Sequence, residues 1–231
     1  MTILAIDTSN AALGVALLEK DQVLGEYITN LKKNHSVRIM PAIERLMKDC
    51  ELLPSDLTKI VVAKGPGSYT GVRIGVTIAK TLAWTLKLPL VGISSLEILA
   101  GVGRYFDGYV SPIFDARRGQ VYTGLYRFEN SHIEVAEHDQ LVMIADWATK
   151  LKDSPKPILF VGNDLPLHQN TIKDILGNQA VFAEITEFNP RPSELAFLGR
   201  DKQDEDIHTF VPNYIRLAEA EAKWLEAKGK I

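Results

Sequence analysis

The sequence predicts a two-lobed α/β fold in which a β-β-β-α-β-α unit is used twice. Three observations carry this. Each half of the chain opens with three short apolar runs separated by tight polar turns. The first run of each half delivers an aspartate into a turn, Asp7-Thr8-Ser9-Asn10 in one and Asp115-Ala116-Arg117-Arg118-Gly119 in the other. Between them lies Gly101-Val102-Gly103-Arg104-Tyr105-Phe106-Asp107-Gly108, whose glycines mark a boundary. Self-similarity of this kind is the signature of a duplicated architecture.

In the first unit, strands at Ile3–Ile6, Gly14–Leu18 and Val23–Ile28 form an antiparallel meander. Ser36 is expected to cap a helix running to about Leu52, because Ile39, Met40, Ile43, Leu46, Met47 and Cys50 recur at helical spacing. There follow a buried strand at Ile60–Ala63, a glycine-rich turn, a helix over Gly71–Leu86, a strand at Leu90–Ile93 and a helix opening at Ser94-Ser95. The second unit repeats the order. Its strands are placed at Val110–Phe114, Val121–Phe128, Ser131–Ala136, Ile158–Val161 and Val181–Ile185. Its helices are placed at Ile144–Leu151 and Leu167–Leu176, and at Glu194–Gly199 with Ser193 as cap. The lobes are expected at residues 1–103 and 104–211, with a polar, alanine-rich helix over Arg216–Lys228 and the segment 212–231 returning to the first lobe. This is the order of the actin, sugar-kinase and Hsp70 architecture.

The 231 residues suffice for two modest cores. A formal net charge of −3 supplies no basic field for nucleic acid, so an RNA would have to be gripped mainly elsewhere. Cys50, the sole cysteine, excludes an intramolecular disulfide framework and fits a reducing compartment. The opening Met1–Asp7 reads as a strand rather than a leader, and no apolar run is long enough to span a bilayer. The expected location is cytoplasmic, with no membrane partner.

Two motifs leave alternatives open. In Asp7-Thr8-Ser9 a carboxylate beside hydroxyls suits Mg²⁺ held through water, and it equally suits an Asx or Ser/Thr turn joining two strands. Arg117 and Arg118 suit a phosphate or carboxylate ligand, or a salt bridge to Asp115. Asp7, Ser9, Asp115, Arg117 and Arg118 therefore form the candidate anion or nucleotide vicinity. The loop Gly65-Pro66-Gly67-Ser68-Tyr69-Thr70-Gly71 fails the P-loop test, since Val72-Arg73 follows where Lys-Ser/Thr is needed, and its glycines miss the dinucleotide spacing. It is a sharp turn, or a set of helix N-terminal amides open to an anion. His35, His132, His138, His168 and His208 are scattered without ligand-like spacing, so neither a metal site nor a catalytic constellation is assigned.

The helix after this loop carries a second signal. Gly71, Gly75, Ala79 and Ala83 form a small-residue stripe that permits close approach of another element. Ile74, Ile78, Leu82 and Leu86 are expected to form an adjoining core face. The remaining face carries Arg73, Thr77, Lys80 and Trp84, and a tryptophan among polar residues reads as an interface anchor, or as a ring folded over its own lobe. On the first helix Val37, Met40, Glu44 and Met47 flank the core stripe, and methionine suits an adaptable contact. These eight residues are the expected partner surface.

With those residues in view, the chain resembles the TsaB (YeaZ) family of bacterial subunits for threonylcarbamoyladenosine in tRNA. The matching stretches are Ile6-Asp7-Thr8-Ser9, Gly65 through Gly75, Asp115-Ala116-Arg117-Arg118-Gly119-Gln120-Val121-Tyr122 and Pro212-Asn213-Tyr214-Ile215-Arg216. The resemblance implies a non-catalytic subunit that binds and activates TsaD, a catalytic paralogue of the same fold, through its first-lobe helices. It also implies a small ATPase, TsaE, as a further partner, self-association through the same helix face, and tRNA contact only through the complex. ATP and metal are expected at the partner subunits and no cofactor on this chain. TsaD-like chains carry a metal-binding His-Leu-Glu-Gly-His where this chain reads Ser95-Leu96-Glu97-Ile98-Leu99, and hydroxyl and alkyl groups do not replace two imidazoles. The alternatives are an ATP-using phosphotransferase with Asp7 and Asp115 near phosphate and Mg²⁺, and a metallopeptidase, which the missing histidines oppose.

Overall fold

The computed structural model describes residues 1–31 and 34–216. Two mixed sheets are present, each begun by a meander. The first contains β1 (Thr2–Asp7), β2 (Leu13–Glu19), β3 (Gln22–Thr29), β4 (Lys59–Ala63) and β5 (Leu90–Ile93) in the order β3-β2-β1-β4-β5. The meander pairs are antiparallel, whereas β1–β4 and β4–β5 are parallel. α1 (Ile39–Asp49) follows β3, α2 (Tyr69–Leu86) joins β4 to β5, and α3 (Ser95–Ala100) follows β5.

The second sheet contains β6 (Tyr109–Pro112), β7 (Phe114–Asp115), β8 (Gln120–Glu129), β9 (His132–Met143), β10 (Ile158–Val161) and β11 (Ala180–Phe182). β6 pairs with β8 antiparallel and with β10 parallel, β10 with β11 parallel, and β8 with β9 antiparallel. The order β9-β8-β6-β10-β11 therefore repeats the first sheet strand for strand and direction for direction. β7 continues β6 past Ile113 and pairs with β8. The helices are α4 (Ile144–Leu151), α5 (Leu165–Leu176) and α6 (Pro192–Gly199).

Strand alternation builds each core on both faces of a sheet. On the first, Leu4, Ile6, Val15 and Leu17 meet α1 and α2, while Ile3, Ala5, Ala16 and Leu18 face Leu195 and Ala196 of α6. The strands of the two sheets part around residue 103, but the helices do not. α3 packs with Leu96 and Leu99 against Val110 and Tyr126 of the second sheet, and α6 packs on the first. Phe210 joins the first core as well. The lobes thus exchange helices.

Several local expectations change. Asn34, not Ser36, caps the turn ahead of α1: its side chain accepts from the Ser36 amide, and a 3-10 turn at His35–Val37 precedes the helix. Ser68 caps α2 by accepting from Gly71 N–H at 3.3 Å. α6 begins at Pro192, and Ser193 makes no cap. β9 extends to Met143: its pairing with β8 shifts register between Thr123 and Tyr126, which breaks the alternation that a hydrophobicity reading relies on. The helix expected over Arg216–Lys228 lies outside the described residues, apart from Arg216, which is not helical.

Candidate functional site

The sequence folds the β1–β2 turn against the start of α2, nearly backbone to backbone. Ser68 N–H donates to Ser9 O at 2.8 Å, and Thr8 Oγ1 donates to Gly71 O at 2.7 Å. A methyl on Gly75 would stand 2.5 Å from Thr8 Oγ1, and one on Gly71 would collide with the Thr8 carbonyl. The small-residue stripe is what lets α2 descend onto this turn. It also fixes α2's buried side as Gly71, Val72, Gly75, Val76, Ala79 and Ala83. Ile74, Ile78, Leu82 and Leu86, expected in the core, are only half-buried, because close approach of the stripe turns them sideways toward the grooves.

Asp7 closes its own turn. Its Oδ1 accepts from Ser9 N–H at 2.8 Å and Ser9 Oγ–H at 2.7 Å. Its Oδ2 is enclosed and has no donor among the described residues. Burial pushes this carboxyl up, opposed by the two Ser9 bonds and the nearby His35. His35 Nε2 lies 2.9 Å from Asn10 O and ties the head of α1 to the same turn.

Across the interlobe cleft, Asp115 does not pair with the arginines that follow it. Its Oδ1 lies 3.0 Å from Nε2 of His168, a buried residue of α5, and its N–H donates to Asp164 Oδ2 at 2.9 Å. Burial raises the Asp164 carboxyl, and the bond from Asp115 N–H opposes this. Arg117 and Arg118 adopt left-handed backbone, φ 67° and 56°, and make no ion pair with Asp115 or another acid among the described residues. They line a cleft of about 660 Å³. Its first-lobe wall is Ser9, Asn10 and Pro66–Thr70, and its second-lobe wall includes Phe114–Arg118, Tyr122 and Asp164. Asp7 is not on the wall.

A strap from Asp204 to Arg216 crosses between the lobes. It begins as a bridge, Glu205 N–H to Leu90 O at 2.9 Å, with Lys64 Nζ 3.2 Å from Glu205 Oε1. Lys80 Nζ holds Phe210 O at 2.7 Å, Asn213 N–H donates to Lys64 O at 2.7 Å, and the Tyr214 ring lies 5.1 Å from that of Tyr69. Arg216 Nη1 then reaches Ala116 O of the second lobe at 3.1 Å.

On the other flank of α2, a groove of about 510 Å³ runs between α1 and α2, lined by Met40, Ile43, Met47, Leu82 and Leu86 among others. Met40, on its lining, is 44% exposed, and away from the groove Val37 and Trp84 are 68% and 66% exposed. A tryptophan so exposed is not folded over its own lobe. Glu44, Arg73 and Thr77 are also exposed, and Arg73 Nη1 donates to Tyr69 Oη at 2.8 Å. Met47 is buried at the floor of the groove, and Lys80 is turned toward the strap.

At the positions of the absent histidine pair, Ser95 is buried and its Oγ accepts from Gly65 N–H at 3.1 Å, while Leu99 is core. These residues do not fit a metal. Among the described residues no group of three or more His, Cys, Asp or Glu could hold one, and no helix is long and apolar enough to cross a membrane.

Two sheets of identical order, an interlobe cleft and exchanged helices define an actin-like, two-lobed α/β protein. A family model described as TsaD, tRNA N6-adenosine threonylcarbamoyltransferase, matches residues 22–224. The chain is 62% identical to the tRNA threonylcarbamoyladenosine biosynthesis protein TsaB of Bacillus subtilis, covering 99% of this chain and 100% of the relative. It is 34% identical to the TsaB of Escherichia coli over 62% of each chain. YeaZ from Pseudomonas aeruginosa superposes with a TM-score of 0.77 at 23% identity, covering 92% of this chain and 99% of that one, a likeness of fold. The chain belongs to the TsaB (YeaZ) family, within the reach of the broader model named for the transferase.

Sequence reasoning missed His168, the strap and the enclosure of Asp7. His168 stands 53 residues from its partner, and no local pattern announces such a pair. The motif Pro212-Asn213-Tyr214-Ile215-Arg216 signalled the strap only as a resemblance.

Proposed function

We propose that this chain acts in the biosynthesis of threonylcarbamoyladenosine in tRNA as a non-catalytic subunit. On this reading it docks a TsaD-like catalytic paralogue on the α1–α2 face and holds it in an active arrangement. The observations that carry the reading are the uncovered apolar groove between α1 and α2, lined by Met40, and the large apolar side chains of Val37 and Trp84 left exposed on the same pair of helical segments, since exposed apolar side chains and an apolar groove mark protein contact. Glu44, Arg73 and Thr77 supply the polar rim, Met47 the floor, and Lys80 holds the strap beside the face. Three further features support it: the printed name of the Bacillus subtilis relative, Ser95 and Leu99 in place of two imidazoles, and a net charge of −3 that leaves tRNA to be gripped elsewhere in the assembly. A second copy of this chain competes for the same face, and a TsaE-like ATPase joins the assembled pair. ATP and metal belong to the partners.

Light scattering after size exclusion tests this, with the chain alone and mixed with the TsaD-like protein of the same organism. The expected result is a one-to-one complex that forms at the expense of homodimer and is weakened by Trp84→Ala. Failure of any mixed complex to form at micromolar concentration overturns the reading.

A further inference from the structure

Two lobes joined by one short segment move against each other unless a substantial apolar contact holds them. Here the joining segment is itself packed. Ser95–Ala100 is helix and Gly101–Gly103 a 3-10 turn, so the connection leaving the first sheet is regular structure. Gly101 has ordinary helical backbone, φ −53°, and a methyl there would stand 2.6 Å from Glu194 Cγ of α6. A methyl on Gly103 would collide with the Val110 side chain of β6. These glycines admit close neighbours; they are not hinges. The apolar share of the contact comes from Leu96 and Leu99 of α3 against Val110, Phe114 and Leu159.

Two polar grips hold this joint. Arg104, next in the chain, has a side chain 16% exposed and pairs with Glu194 of α6, 18% exposed. Its Nη1 donates to Ser131 O, in the β8–β9 turn, at 2.7 Å. Its guanidinium lies over the rings of Phe128 of β8 and Phe197 of α6, at 5.3 Å and 5.2 Å. One planar cation therefore binds the second sheet's hairpin to the helix that covers the first sheet. A largely desolvated guanidinium with ring contacts and directed hydrogen bonds holds far better than a surface ion pair. The second grip is Asp139 of β9, which accepts from Ser94 Oγ at 2.5 Å and from Tyr126 Oη of β8. Ser94 Oγ in turn accepts from the Leu96 and Glu97 amides at 3.2 Å and 3.3 Å, so the carboxylate holds the turn by which the chain leaves β5. Ser94, Arg104 and Asp139 lie off the cleft wall, whereas Arg216 of the strap reaches Ala116 O on it. The lobes are thus tied both at the cleft and away from it.

We propose that the Arg104 and Asp139 grips form a clasp that locks the two lobes into one rigid body, so that the cleft neither opens nor closes by lobe rotation. The clasp is a property of the isolated chain and does not depend on partner docking. The test is measurement of ¹⁵N–¹H residual dipolar couplings on the full chain, fitted separately for the amides of the two sheets. The expected result for the wild type is one alignment tensor shared by both sheets. The triple variant Arg104→Met/Glu194→Gln/Asp139→Ala removes both grips without leaving an enclosed charge unpaired, and it should lose that agreement, each sheet requiring its own tensor. Hydrogen exchange at Ile60 and Phe160, one in each sheet, reports that both lobes remain folded. Should either lose its protection, Arg104→Gln/Asp139→Asn takes the place of the triple variant with the same expectation. Separate tensors in the wild type, or a single tensor kept by a variant whose two sheets stay protected, would each overturn the proposal.

Discussion

Gly75→Ala isolates the contact on which the first lobe's site is built. In an isolated helix the substitution would stabilise by about 1 kcal/mol. Here the new methyl would stand 2.5 Å from Thr8 Oγ1, with its next neighbour, Val62 Cγ2, at an ordinary 3.7 Å. Thr8 can yield only by rotating its hydroxyl away from Gly71 O, a buried bond of 2.7 Å. Losing that bond and leaving its partners buried costs about 1–3 kcal/mol, and residual overpacking adds about 1–3 kcal/mol. The net expectation is a loss of about 1–5 kcal/mol in equilibrium urea unfolding at neutral pH. Thr8→Ala alone should cost about 1–2 kcal/mol through the lost bond. Because it also clears the space, the double variant Thr8→Ala/Gly75→Ala should be more stable than the sum of the singles by at least ~1 kcal/mol. Simple additivity, or a stabilised Gly75→Ala, would refute the claim that the glycine exists to admit the Thr8 turn.

Trp84→Ala should leave the stability of the isolated chain within about 0.5 kcal/mol, as expected of a side chain 66% exposed, while weakening the mixed complex roughly 30-fold or more by analytical ultracentrifugation. Glu97→Gln should make the dependence of stability on pH flatter. Burial raises the Glu97 carboxyl, against the Lys202 charge, so the folded state holds that proton to higher pH than the unfolded state does. Wild-type stability contributed by this group therefore falls as pH rises from the ordinary carboxylate range through the raised value, and unfolding curves should show the variant gaining on wild type there and converging with it in acid. Lys80→Met should speed hydrogen exchange at Phe210 and Asn213 at least severalfold, because Lys80 Nζ anchors Phe210 O at 2.7 Å; unchanged protection would show that the Asn213 N–H to Lys64 O bond holds the strap unaided. Trp147→Phe should cost about 1–3 kcal/mol in thermal unfolding, since Trp147 Nε1–H donates to the buried Ser111 Oγ at 2.9 Å; a smaller loss would mean that Ser111 is satisfied by Thr123 alone.

The duplication, the strands and the small-residue stripe were legible in the sequence because each is a local pattern. Short apolar runs at Ile3–Ile6 and Gly14–Leu18, helical period at Ile39–Met47, and a small residue at every fourth position from Gly71 to Ala83 are set by backbone geometry within a few residues. The helix opening at Ser94-Ser95 and the limits of α4 and β10 followed from the same local physics. Trp84 stood out because a large apolar ring among polar neighbours has no core to enter. Tertiary structure decided the rest, since it depends on which distant surfaces meet. Whether Met47 or Met40 is exposed depends on the groove that α2 leaves beside α1, not on helical period. Leu96 and Leu195 carry no mark of the sheet they cover, so the exchange of α3 and α6 between lobes could not be read from their own segments. Asp115 had two arginines within three residues, yet its partner is His168, because left-handed backbone at Arg117 and Arg118 aims those side chains into the cleft while α5 brings an imidazole to the carboxylate. Sequence sets what each residue can bond to; chain path through space determines which of those partners arrives.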